Sequence, residues 1–184
     1  MYQNERNPES EFYQEWYKNH GYQITQLPEN LYFEGGGELQ HWRNKILIGT
    51  GFRTDQKASE AVGKIFNKEV IRLDLIDERF YHLDTCLMVL NDDVVFYYPE
   101  ALSTQAVSSL RSIIPTLVEI DKEEVTNFAA NSVVFGSTVF IQKGNKEMAR
   151  QIEQFGYKVI DIDISEFMKA GGGAHCLTGD LGEL

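Results

Sequence analysis

Cysteine is scarce in this chain, with two among 184 residues. That scarcity excludes a disulfide-stapled scaffold and favours a reduced, cytoplasmic setting. No run of about 18 apolar residues occurs, so no membrane-spanning helix is expected. The opening residues Tyr2, Gln3, Asn4, Glu5 and Arg6 hold no apolar stretch of the kind a signal peptide carries, and none is expected. Positive charge is short as well: 17 Lys and Arg against 28 Asp and Glu leave a formal net charge of −11. This balance argues against a nucleic-acid partner, whose phosphates demand clustered cations. It suits a cleft that focuses negative potential on a cationic small molecule.

What is present is enough for a core, since 42% of the residues are hydrophobic. Residues 29–35, ENLYFEG, resemble a protease-processing sequence, but Glu34 stands where such a sequence has Gln. The segment also continues the surrounding pattern, and it is read as native.

One order of elements recurs three times. Leu39 to Gly49 reads as a hairpin turning near Trp42 to Asn44, followed by a helix over Asp55 to Phe66 and a strand Glu69 to Asp74. The helix carries Ala58, Ala61, Val62, Ile65 and Phe66 on one stripe. The second pass places the runs HLDTCLMVL and VVFYY on either side of Asn91-Asp92-Asp93, then a helix from Ser103 to about Ile113 and a strand Thr116 to Ile120. The third runs SVVF, Gly136-Ser137, TVFIQ, then a helix Lys146 to Phe155 and a strand Lys158 to Asp163. Upstream, Glu9 to His20 and Tyr22 to Leu27 read as the helix and last strand of a further unit without its hairpin.

A repeat of about 45 residues predicts modules that bury their apolar faces only against one another. A closed ring of them would turn its inner strands toward a central channel. The expected boundaries within one partial domain are 1–30, 31–76, 77–121 and 122–165, with a C-terminal catalytic segment 166–184. This is about three and a half modules, too few to close a ring, so the chain reads as the later part of a longer fold. Were the chain an incomplete, inactive propeller, the edge that an open ring leaves would drive copies to associate.

Four stretches hold residues suited to chemistry: FEGGGEL, GFRTD, FYHLDTC and GGGAHCLT. Cys176 follows three glycines, which allow backbone amides to approach a ligand closely, and a thiolate needs such donors to form near neutral pH. His82 and Asp84 lie two apart in a β-rich run, which predicts that they share one face, with Cys86 continuing it as packing. Glu34 reads equally as a surface turn carboxylate or as the acid that fixes a histidine tautomer. Arg53 reads as a surface charge or as a fork for a carboxylate.

Taken together these stretches resemble the guanidino-group-modifying enzyme superfamily, which includes arginine deiminases, arginine dihydrolases, dimethylarginine dimethylaminohydrolases and amidinotransferases. FYHLDTC and AGGGAHCLT carry the resemblance most specifically, and it extends from about Asn4 to Thr178. The resemblance implies an α/β fold, the pentein-type α/β propeller of five ββαβ modules. It implies that Cys176 is the nucleophile, His82 the general acid/base and Glu34 its orienting acid. It further implies that Asp84 grips a guanidinium and that Arg53 receives the α-carboxylate of an arginine-like substrate.

The implied chemistry is hydrolysis through a covalent thiouronium, with no metal and no organic cofactor. Transfer of the amidino group to an amine is the alternative within the family. An inactive propeller that binds a ligand or another chain is the alternative outside it. Asp84 in HLD, where some members have HLK, favours an unmethylated guanidinium, which offers N–H donors on every nitrogen. Glu38 follows Gly37 where members often have EGGD, and it is left outside the expected site. No residue is assigned to the second guanidinium-binding carboxylate that members supply from an early module.

Overall fold

The computed structural model describes residues 8–28 and 30–179. Helix α1 (Glu9–Asn19) comes first and buries no residue. Strands β1 (Leu39–Trp42) and β2 (Lys45–Thr50) form an antiparallel hairpin, and β3 (Glu69–Asp74) returns parallel to β2 after helix α2 (Gln56–Phe66). The second sheet has the same form: β4 (Leu87–Val89), β5 (Val94–Tyr97), helix α3 (Thr104–Ile113) and β6 (Thr116–Glu119). The short helix α4 (Lys122–Thr126) leads into the third, made of β7 (Val133–Phe135), β8 (Thr138–Gln142), helix α5 (Lys146–Gln154) and β9 (Lys158–Ile162). Helix α6 (Ser165–Met168) precedes the terminal glycines. The three sheets are thus ββαβ units of an α/β propeller.

In each sheet the middle strand is the second of the hairpin. In β2 and β5, covered on both faces, it reads as a largely apolar run rather than an alternating one. Ile46, Leu47 and Ile48 of β2, and Val94 to Tyr97 of β5, are all buried. Capping fixes where helices begin: Ser103 accepts the Ala106 N–H at 3.2 Å and opens α3, and Asp121 accepts the Glu123 N–H at 2.7 Å and opens α4. The stripe expected on α2 divides, with Ala58 and Val62 in the core and Ile65 and Phe66 exposed.

Two expectations fail for identifiable reasons. Residues 22–27 form no strand. Every returning strand here pairs with the second strand of its own hairpin, and among the described residues no hairpin precedes α1. The run starting at His82 is not a strand until Leu87: Leu83–Thr85 is a 3₁₀ turn. Thr85 Oγ1 donates to the His82 carbonyl at 2.7 Å and the Cys86 N–H donates to the Leu83 carbonyl at 3.0 Å. Local bonding therefore satisfies this backbone before a ladder can. His82, Asp84 and Cys86 accordingly share no strand face, although Cys86 is packed in the core as expected.

Neighbouring units are joined by side-chain hydrogen bonds. The Gln40 side chain of β1 donates to the Leu87 carbonyl at 2.7 Å and accepts the Val89 N–H at 2.9 Å, so one amide imitates a strand along the β4 edge. The Trp42 indole donates to the Asp92 carbonyl at 3.0 Å. Between the second and third units, the Asn91 amide donates to the Tyr157 hydroxyl at 3.2 Å. Among the described residues no helix is long and apolar enough to cross a membrane. Gln40→Ala strips partners from two part-buried backbone groups, and urea unfolding is expected to show a loss of about 1–3 kcal/mol.

Candidate active site

The first strands of the units line a cavity of about 1170 Å³, and the four stretches singled out in the sequence converge on it. Glu34, Arg53, His82, Asp84 and Cys176 all reach its wall. They form two clusters, each built around one carboxylate.

In the first cluster a single oxygen, Glu34 Oε2, faces two donors: His82 Nε2 at 2.9 Å and Arg53 Nη1 at 3.1 Å. The Glu34 side chain is buried, and its backbone N–H donates to Thr54 Oγ1 at 3.3 Å, which ties FEGGG to GFRTD. The segment resembling a processing sequence is built into the same join. Tyr32 N–H donates to Asp55 Oδ2 at 2.8 Å, and Asp55 N–H donates back to the Tyr32 carbonyl at 2.9 Å. With Nε2–H directed at the carboxylate, Nδ1 is the imidazole nitrogen left for other work. That nitrogen lies against Gly37, where a Cβ would come within 2.7 Å of it. Arg53 also stands over the Tyr81 ring, its guanidinium carbon 4.9 Å from the centroid.

Asp84 anchors the second cluster. Its Oδ2 lies 2.9 Å from His175 Nδ1 and 3.6 Å from Cys176 Sγ. Its Oδ1 is buried and has no hydrogen-bond partner among the described residues. The side chain is 1% exposed, so this is an orphaned acceptor of the kind that folding tolerates at functional sites. Cys176 is exposed by area but sits within the concave wall. Loss of surrounding water and the charge of Asp84 push its thiol above the ordinary cysteine value.

Four residues at or beneath the site receive no role from the sequence, Glu38 among them because it is left outside the expected site. Tyr81 donates its hydroxyl to the Gly171 carbonyl and so latches the terminal glycine segment to the His82 turn. His175 partners Asp84. Both lie inside stretches already singled out, so proximity in sequence was the available signal. Asn131, just ahead of β7, reads as an ordinary turn residue, and nothing local marks it. Glu38 lies beneath the cavity wall: it is fully buried, and its Oε2 accepts the Leu83 N–H, between His82 and Asp84, at 3.2 Å. Burial, opposed by the Leu83 N–H and reinforced by Asp84, pushes the Glu38 carboxyl from its ordinary 4.5 up to about 8.

That shift has a definite sign. The folded state keeps a proton that the unfolded chain has released, so Glu38 costs increasing stability as pH rises from about 4.5 to about 8, and the cost levels off above that. Glu38→Gln cannot ionise and keeps an acceptor for Leu83. Unfolding by urea at pH 5 and at pH 8 is expected to show the variant gaining on the parent chain with rising pH, by on the order of a few kcal/mol.

Comparison with known proteins adds a second line of observation. A family model described as N,N dimethylarginine dimethylhydrolase, eukaryotic, matches residues 1–182. An N(G),N(G)-dimethylarginine dimethylaminohydrolase of Mycobacterium tuberculosis is 36% identical over 175 residues, covering 95% of this chain and 57% of that protein. The bifunctional arginine dihydrolase/ornithine cyclodeaminase AgrE of a Nostoc species is 35% identical over 178 residues, covering 95% of this chain and 25% of that protein. Among solved structures, the product-bound N-terminal domain of the cyanobacterial arginine dihydrolase ArgZ superposes with a TM-score of 0.92 at 32% identity, covering 96% of this chain and 66% of that one. The chain thus spans from a quarter to about two thirds of the length of these relatives.

Proposed function

This chain belongs to the N,N dimethylarginine dimethylhydrolase family, and from that premise we propose that it hydrolyses the guanidinium group of arginine or a close derivative, with Cys176 as nucleophile. The observation that carries this reading is the buried, unpartnered Oδ1 of Asp84 next to the Cys176 thiol. A guanidinium supplies N–H donors in a planar fork that satisfies both carboxylate oxygens at once. Seated there, it brings its electrophilic carbon to the sulfur.

The same geometry times the nucleophile. With the site empty, partial burial and the Asp84 charge keep the thiol protonated. A guanidinium paired with Asp84 cancels that field and favours thiolate. Cys176 Sγ then forms a bond to the guanidinium carbon. The leaving nitrogen departs with a proton from His82, given at Nδ1, while Nε2–H stays on Glu34. Water next attacks the S-alkylthiouronium, His82 Nδ1 takes the water's proton, and the C–S bond breaks to return the thiol. Arginine and one water give citrulline and ammonia; a second round, with a second water, would release the remaining amino group as ammonia and leave a carbamate that loses carbon dioxide to give ornithine. Glu34 holds the imidazole in one orientation throughout. Arg53, anchored on Glu34 and backed by Tyr81, directs its guanidinium to the substrate's α-carboxylate.

Two considerations support arginine as the substrate. A dimethylated nitrogen has no N–H for Asp84 to accept, and AgrE and ArgZ carry the name arginine dihydrolase. Water is the acceptor in this reading because these relatives are all named hydrolases.

Incubation with arginine and mass spectrometry of the products tests the proposal. Citrulline or ornithine is expected from the parent chain, and Cys176→Ala is expected to lower turnover by at least about 10³-fold. Equal turnover by the two proteins would refute it.

A further inference from the structure

Asn131 takes no part in the scheme above, yet it touches both halves of the second cluster. It is 1% exposed. Its side-chain oxygen accepts the Cys176 N–H at 3.2 Å, and its side-chain nitrogen donates to the Asp84 carbonyl at 3.3 Å. Its own carbonyl accepts the His175 N–H at 3.0 Å. One residue from the approach to β7 therefore fastens the terminal segment carrying the thiol to the turn carrying the carboxylate, which stands about ninety positions earlier in the chain.

The glycine run fits this residue. A Cβ on Gly173 would lie 2.8 Å from both Cβ and Cγ of Asn131, well inside van der Waals contact. Only glycine lets the terminal backbone come down onto the amide. Beyond these bonds the terminal segment is held to the cavity wall by the Tyr81 latch and by His175 on Asp84. Neither of these reaches the Cys176 backbone.

We propose that Asn131 is a positioning residue that sets the separation of the Cys176 thiol from the Asp84 carboxylate, and through it both the reactivity of the thiol and its aim at a guanidinium carbon. The proposal rests on the reading of Cys176 as the nucleophile. The effects on the thiol agree with it: burial and the Asp84 charge raise its pKa, while the Gly173 backbone N–H and the Asn131 amide lower it. Asn131 thus holds the sulfur beside an anion that suppresses its ionisation while partly offsetting that suppression.

Two variants separate this role from a merely structural one. Asn131→Ala removes both side-chain bonds and frees the Cys176 backbone from its seat, so the thiol can move away from Asp84 while the Tyr81 latch and His175 keep the segment on the wall. Asn131→Asp keeps an acceptor for the Cys176 N–H, so the loop stays docked, but it places a second negative charge beside the sulfur. The readout is the pH dependence of Cys176 alkylation by iodoacetamide, which Cys86 does not obscure because it is buried and its thiol is pushed far up. The alkylation midpoint is expected to fall toward that of an ordinary thiol in Asn131→Ala and to rise in Asn131→Asp. Arginine turnover in both is expected to drop about 10- to 100-fold, chiefly in kcat, as misplacement by an ångström would cause.

Midpoints that stay at the parent value, or that move together in one direction with the melting temperature, would overturn the proposal. Should Asn131→Ala fail to fold, Asn131→Asp carries the test alone, and an unshifted midpoint there overturns it. Absence of turnover in the parent chain would count against the hydrolase reading and would leave the alkylation result to decide on Asn131.

Discussion

The site depends on a carboxylate buried with only half its bonding satisfied. Asp84 presents one oxygen to His175 and Cys176 while the other stays unpartnered among the described residues. A buried acceptor left this way costs about 1–3 kcal/mol, and the surroundings must over-determine its position for the arrangement to persist. They do so through the 3₁₀ turn that carries Asp84, the Glu38 carboxyl beneath its Leu83 amide and the Asn131 amide on its carbonyl. A cation with a planar array of N–H donors completes the bonding of Asp84 and relieves that cost. In the proposed reaction, binding and activation are one event, since the charge that would attract the cation is also the charge that raises the thiol's pKa.

The propeller units explain how residues from four distant stretches meet. Each unit buries its middle strand and turns its first strand toward the cavity, so short segments flanking the first strands arrive at one place. Glu34 precedes β1, the His82 turn precedes β4 and Asn131 precedes β7. All three stand just ahead of the first strand of a unit. The terminal glycine segment then crosses over them, latched by Tyr81 and seated on Asn131. Gln40 keeps the first two units in register, and His82 and Asp84, two apart at one turn, tie the Glu34 cluster to the Asp84 cluster.

Most of the fold could be read from the sequence because hairpin, helix and returning strand each leave a periodic trace, and β3 was located to the residue. Where reading failed, the governing contacts were not periodic. FYHLDTC has strand-like composition, but Thr85 and Cys86 bond the backbone locally and curl it. Residues 22–27 have strand composition too, but a strand needs a partner to pair with, and among the described residues they pair with none. The candidate site shows the same division. Charged and nucleophilic residues in glycine-rich or aromatic settings stand out, and all five that were singled out reach the cavity wall. Asn131 is neutral, occurs in an unremarkable AANS run and acts only through contacts to residues dozens of positions away. Glu38 stands out as an acid, but only burial distinguishes it from a surface carboxylate.

The claim that Asp84 governs the nucleophile is tested most directly by the pH profile of Cys176 alkylation in the parent chain and in Asp84→Asn. Removing the carboxylate's charge is predicted to lower the midpoint of thiol ionisation and to speed alkylation near neutral pH. A midpoint that stays put or rises would contradict the account, because it would mean that the charge beside the sulfur does not control its protonation.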